Sequence, residues 1–286
     1  MTNLQTRAIS GTVYVALIVG SILFGPQLFT FLMACFGLLA AVEYTRMVRS
    51  ETGASGLEVT TDIVGVCFIT LIPFIISFTL GIDIVSDFMG LSALLASAGL
   101  LYYVARCIVA LYVHTERPLR SLAYSVLGVT YISLGIISVQ LLDIMNQWTV
   151  LAVFIFIWVN DTGAYLVGSA IGRHKMTPRL SPKKSWEGFF GGMICCIIVG
   201  VLMSLVVDVY QHMDLILGGV IFPFSISVLA TLGDLLESLI KRSVGVKDAG
   251  NIIPGHGGVL DRIDSLLFVT PGLWLLLLLF NLLASF

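Results

Sequence analysis

Charge is what this sequence has least of. Asp, Glu, Lys and Arg make up only 11% of its 286 residues, against about a quarter in a soluble domain. Apolar residues reach 58%, and mean hydropathy is +1.02. A water-soluble globule is excluded, so the chain reads as an integral membrane protein. Cysteine patterns are also missing. Cys35, Cys67, Cys107, Cys195 and Cys196 all fall in apolar segments, with no CxxC and no Cys/His spacing. That argues against structural zinc and against a disulfide framework. No convincing internal repeat is present, and no small-x-small cleavage site follows the first apolar run. The run is therefore expected to stay as a span, not to leave as a signal peptide. No nucleic-acid partner is expected.

What is present is a series of long apolar runs. A bilayer core needs about 20 mostly apolar residues per helix. By that rule nine spans are expected, near 8–25, 27–48, 61–81, 87–113, 119–142, 148–171, 187–208, 214–241 and 260–284. The fold class is all-α and polytopic, with a turn at Gly25-Pro26. Lys and Arg then orient the chain. Arg7, Arg46, Arg49, Arg106, Arg117, Arg120, Arg173, Lys175, Arg179, Lys183, Lys184, Lys241, Arg242, Lys247 and Arg262 all fall on one side. The opposite side has Asp83, Asp87, Asp143, Asp208, His212 and Asp214. Positive residues mark the cytoplasmic face, which places the N-terminus inside and the C-terminus outside. Loops 172–186 and 242–259 then share the cytoplasmic face. Residues 1–145 (spans 1–5) carry no catalytic motif; residues 146–286 (spans 6–9) form the expected catalytic region.

The chemistry concentrates between Thr231 and Asp264. Asp234, Glu237, Ser238 and Lys241 are spaced i, i+3, i+4, i+7 and so line one helical face. Asp261 and Asp264 share a face at the start of the last span. Carboxylates gathered near a membrane surface repel one another unless a cation lies among them. Hard oxygen ligands suit Mg²⁺, which takes one or two carboxylates plus substrate phosphates and water. Asp234 and Asp261 are the leading candidates for metal ligands, with Asp264 next. The alternative is salt bridging of these acids to Lys241 and Arg262.

The turn Pro254-Gly255-His256-Gly257-Gly258 offers backbone N–H groups ahead of a helix N-terminus, a place for an anion. A plain connector is the other reading. His256 has three roles open to it: a hydrogen bond to a phosphate, help in protonating a leaving pyrophosphate, or a structural bond within the turn. Lys183 and Lys184 suit a polyphosphate as point charges, though basic residues after a span also serve as orientation signals. Glu187 opens the seventh span as a helix N-terminal acid or a further site carboxylate. In the sixth span Asn160 and Asp161 lie about ten residues below the end. Asp161 needs a partner there, either a polar pocket under the substrate or Arg106 in the fourth span. Gly168/Gly172 and Gly188/Gly192 form GxxxG faces for close helix contact.

Ser238, Lys241, Arg242, Lys247, Asp248, Pro254, His256, Gly257, Gly258, Asp261, Arg262 and Asp264 match a known signature in order and spacing. The chain resembles the phosphatidate cytidylyltransferase (CDP-diacylglycerol synthase) family. Ser181-Pro182-Lys183-Lys184-Ser185-Trp186-Glu187-Gly188 also looks like that family. The resemblance implies transfer of cytidylate from CTP to phosphatidate, with pyrophosphate leaving, for phospholipid biosynthesis. It implies Asp234, Asp261, Asp264, Lys241, Arg242 and His256 as catalytic residues. Lys183, Lys184, Ser238, Lys247, Gly257, Gly258, Arg262, Asp161 and Glu187 are the substrate-binding candidates. One or two metal ions are expected, Mg²⁺ first, with the second open between a divalent and a monovalent cation. Partners are CTP, phosphatidate and the bilayer; Gly-rich faces and family likeness are compatible with a homodimer. The expected location is a bacterial inner membrane, with the site facing the cytoplasm. Rival readings are another lipid phosphate as acceptor, a transporter using Asp161, Asp234 and Asp261 as an ion path, or a structural membrane scaffold, which would not need this clustering of charge.

Overall fold

A computed structural model of the chain describes residues 3–79, 88–206, 215–255 and 257–284. Helices α1 (Asn3–Phe24), α2 (Pro26–Thr52), α3 (Gly56–Thr79), α4 (Phe88–Tyr112), α5 (Pro118–Met145) and α6 (Gln147–Ile171) come first. A hairpin of β1 (Lys175–Thr177) and β2 (Ser181–Ser185) follows, then α7 (Trp186–Val206). A π-helical turn (Leu217–Ile221) leads into α8 (Phe222–Ser243), and α9 (Leu260–Ala284) ends the chain. Among the described residues nine helices are long and apolar enough to cross a membrane. The all-α polytopic expectation holds. Of the acids and the His that oriented the spans, Asp83, Asp87, Asp208, His212 and Asp214 lie outside the described residues.

Local sequence explains most of the boundaries. Gly25 takes φ 125°, open to glycine, and Pro26 starts α2, where its missing N–H has no intrahelical partner to lose. Gly53 at φ 64° closes α2, its N–H donating to Arg49 O. The hairpin in loop 172–186 was not expected from the all-α reading. Its turn carries Pro178, with Leu180 N–H donating to Thr177 O at 3.1 Å. Pro182 is tolerated because a two-stranded sheet is all edge.

The chain divides into two compact units: residues 1–147 with 243–263, and residues 148–242 with 264–286. In the first, α2, α3 and α5 form the core. Gln140 Nε2 donates to Thr30 O (2.7 Å) and Thr70 O (3.0 Å), one side chain joining three helices. Gly128 lets α5 approach the Tyr44 ring so closely that a Cβ would meet it at 2.0 Å.

Arg106 is wholly buried. Its Nη2 donates to Glu58 Oε1 (2.9 Å) and Ser121 Oγ (2.8 Å), and its Nε to Asp62 Oδ1 (3.2 Å) and Ser125 Oγ (3.1 Å). Tyr102 and Ser125 hydroxyls donate to Asp62 as well. Arg106 therefore pairs with Glu58 and Asp62, and is not the partner expected for Asp161. The reason is where α3 begins. Ser55 and Glu58 form a capping box, with Ser55 N donating to Glu58 Oε2 and Glu58 N to Ser55 Oγ. The helix thus starts at Gly56, ahead of the expected residue 61, and carries both acids inward.

Removing one partner of a buried ion pair strands the other's charge, at about 3–5 kcal/mol. Arg106→Met is expected to lower the melting temperature in detergent well below that of a lipid-facing control such as Leu101→Ala. Equal melting of the two variants would show that the network contributes nothing.

Candidate active site

In the second unit the site begins with small residues that let helices touch. On α7, Gly188 stands against Ala164 O and Gly168 Cα of α6, and Gly192 against Asn160 O; a Cβ at either would come within 2.8 Å of α6. The GxxxG faces serve the close contact expected of them. Ser185 caps α7, accepting the Gly188 N–H at 3.2 Å.

Gly233 does the same for α8 and α9. A Cβ there would lie 2.8 Å from Phe268 Cβ and 3.1 Å from Asp264 O. Ser265 Oγ seals the contact by donating to Ala230 O at 3.2 Å. This approach gathers Asp234, Glu237 and Asp264, whose nearest carboxylate oxygens all lie within 4.8 Å of one another. Lys184 pairs with Asp234, and Lys241 with Glu237 one turn along α8. Glu237 is fully buried. Three carboxylates against two ammonium groups leave an excess of negative charge, and oxygen donors at this spacing suit a hard divalent cation. Ser238 Oγ donates to Asp234 Oδ1 at 3.4 Å.

A cleft of about 240 Å³ opens beside this group, lined by Asp161, Tyr165, Lys183, Lys184, Thr231 and Asp234, among others. Asp161 is exposed into it while its neighbour Asn160 is buried and accepts the Ser227 hydroxyl at 2.6 Å. A cleft with two lysines, two carboxylates and an adjacent acidic group can receive a phosphate-rich ligand with its counter-cation. Two other expected residues make contacts that hold the hairpin. Glu187 accepts the His174 backbone N–H (3.1 Å) and contacts His174 Nδ1 (2.6 Å), tying the hairpin's base to α7. Arg242 Nε donates to Leu180 O at 3.4 Å.

The remaining expected site residues belong to the first unit. Asp261 accepts Ala249 N–H (3.1 Å) and Gly258 N–H (2.8 Å), closing the loop that leads into α9. Gly257 has φ +86°, and its carbonyl accepts the Ile253 N–H at 2.9 Å. Lys247 and Arg262 are exposed. His256 lies outside the described residues. Of the acids expected from sequence, Asp234 and Asp264 join Glu237 in the second unit, and Asp261 accepts backbone donors of its own loop in the first.

The model of the Cytidylyltransferase family matches residues 5–280, nearly the whole chain. The chain belongs to the cytidylyltransferase family. Among curated relatives, a "Phosphatidate cytidylyltransferase" of Staphylococcus epidermidis (strain RP62A) is 42% identical over 156 residues, 54% of this chain and 59% of that protein. Proteins of the same name from Staphylococcus haemolyticus (strain JCSC1435) and Staphylococcus aureus (strain COL) match with the same identity and coverage. The chain thus spans about 59% of the length of these relatives.

Sequence reasoning missed Gly233, Thr231 and Glu43 of this cytidylyltransferase-family chain. Gly233 sits mid-helix among leucines, where only a packing reason justifies a residue that weakens a helix by about 1 kcal/mol. If that reason is the α8–α9 contact, Gly233→Ala should open the acidic group without touching an acid. In detergent, Mn²⁺ titration followed by electron paramagnetic resonance is expected to show a bound ion in the starting protein and weaker binding in Gly233→Ala. Unchanged binding in a folded Gly233→Ala protein would separate the glycine from the acids.

Proposed function

We propose that this protein is a phosphatidate cytidylyltransferase: it joins the phosphate of phosphatidate to the cytidylyl group of CTP and releases pyrophosphate. The observation that carries the reading is the group Asp234, Glu237 and Asp264 beside a lysine-lined cleft, in a chain of the cytidylyltransferase family. The staphylococcal relatives' name supplies the lipid substrate.

An oxygen of the lipid phosphate attacks the α-phosphorus of CTP in line. One P–O bond forms, and the bond from the α-phosphorus to the bridging oxygen breaks with departure of pyrophosphate. A phosphate monoester with a second pKa near 6 is largely ionised at neutral pH, so no strong general base and no side-chain nucleophile is required. Rate comes from positioning and from charge compensation. Lys183 and Lys184 supply cationic contacts for the triphosphate at the cleft. Asp234, Glu237 and Asp264 would hold Mg²⁺ at their clustered oxygens. When bound, the ion would offset the charge that develops on the transferring phosphoryl group.

An apolar body that carries a polar cleft and an acidic group also meets the physical demand of the reaction. The acyl chains stay in the bilayer while the lipid phosphate meets a water-soluble nucleotide. The Lys and Arg distribution favours a cytoplasmic site in a bacterial inner membrane, and a role in phospholipid biosynthesis follows from the product.

Purified protein in detergent is expected to release pyrophosphate only when both phosphatidate and CTP are present, and chelation should stop it. Asp264→Asn should lower turnover about a hundredfold or more. Release without lipid, or full turnover in Asp264→Asn, would contradict the proposal.

A further inference from the structure

Glu43 lies in the middle of α2, in the part of the chain that carries no catalytic motif. It is 2% exposed. Its two carboxylate oxygens accept the backbone N–H groups of Val259 (3.0 Å to Oε1) and Leu260 (2.8 Å to Oε2). Those are N–H groups at the start of α9, which have no partner within their own helix. A side chain from 216 positions away therefore does what a local Ser or Asp does at most helix starts.

The loop before α9 is shaped to admit this carboxylate. A Cβ on Gly250 or on Gly258 would stand 2.5 Å from a Glu43 oxygen, so neither position has room for a side chain. Asp261 takes the loop from the other end, through Ala249 N–H and Gly258 N–H. The two acids divide the backbone donors of the loop: Glu43 takes those of residues 259 and 260, Asp261 those of 249 and 258. Helix α1 adds two contacts, Ser10 Oγ to Pro254 O (3.0 Å) and Tyr14 OH to Arg262 O (3.0 Å).

We infer that Glu43 is a positioning residue for the transferase: it is the internal anion at the start of α9, and it fixes the 249–260 loop and Asp261 in their working arrangement. One consequence is chemical. The N–H groups of Gly258, Val259 and Leu260 already have carboxylate acceptors, so this helix start is not left open for a substrate phosphate. The glycines at 250 and 258 serve the approach of Glu43. The inference rests on the proposed transferase reading only in linking the loop to turnover; the capping itself stands apart from it.

Two variants and two measurements test it. Glu43→Gln keeps the size but faces one backbone donor with an NH₂ donor. Gly250→Ala leaves Glu43 intact and pushes on its carboxylate. The first measurement is the rate at which trypsin cuts after Lys247 in the detergent-solubilised protein, compared with cuts elsewhere in the chain. Both variants are expected to be cut several-fold faster at Lys247 alone. The second is turnover, where misplacement without loss of binding lowers kcat about tenfold or more while the KM for phosphatidate stays within about threefold. Combining the variants should add little to either alone, since both disturb one contact. Unchanged protection at Lys247 in a folded Gly250→Ala protein would overturn the inference, even if Glu43→Gln failed to fold. Protection lost with kcat unchanged would overturn the link to catalysis. A starting protein that shows no transferase activity but loses protection in both variants would sink the proposed function and leave the capping role in place.

Discussion

Two helices touching backbone to backbone is the constraint on which the candidate site depends. At Gly233 the absence of a Cβ lets α8 lie against Asp264 and Ser265 of α9, and the Ser265 hydroxyl closes the contact on Ala230. The acids of α8 and the acid of α9 come within ligand distance of one another because of that approach. Their mutual repulsion acts against the packing that creates the cluster. A fully buried carboxylate such as Glu237 is tolerable only with a cation beside it, and Lys241 takes that place. Lys184, from the hairpin, does so for Asp234. Helix packing brings the charges together and the lysines keep them there.

The two units solve different problems with similar means. The first binds its helices through buried polar groups, with Arg106 at the centre of one network and Gln140 across three helices. In a membrane, apolar side chains gain little by meeting each other instead of lipid, so small residues and hydrogen bonds fix helix contacts. The second unit relies on glycines: at 188 and 192 for α6 against α7, and at 233 for α8 against α9. The stretch that resembles the synthase signature is divided between the units. Asp234, Ser238, Lys241 and Asp264 fall in the second, and the loop with Asp261 in the first.

Much of this was legible in the sequence. Nine apolar runs correspond to nine membrane-length helices among the described residues, because a length of about 20 apolar residues is a strong and local signal. Helical spacing put Asp234 and Glu237 on one face of α8, and Asp261 and Asp264 on one face of α9; that Asp264 meets the α8 acids is a tertiary contact. Other features depended on contacts that no local pattern contains. The hairpin at 175–185 has no alternation of apolar and polar residues, only a proline turn and charge. Arg106 reads as one of two candidate partners for Asp161 when α3 is taken to start at residue 61, five residues late, although Ser55 and Glu58 already spell a capping box. Glu43 could have been singled out as an acid within an apolar span, but its acceptor role lies 216 residues away. Asp261 reads from its place in the signature as a first choice for the metal; that its oxygens also accept two backbone N–H groups of its own loop is a contact no local pattern contains.

In the proposed cytidylyl transfer, Asp234, Glu237 and Asp264 are the residues that would surround the ion. Iron-directed backbone cleavage tests this placement most directly. Fe²⁺ in the place of Mg²⁺, with ascorbate and peroxide, cuts the chain within a few ångströms of where the metal rests. Fragments ending near residues 234–238 and near 264, suppressed by excess Mg²⁺, are expected. Mg²⁺-sensitive cuts confined to the 58–62 region or to the 249–261 loop would place the ion elsewhere and contradict the claim.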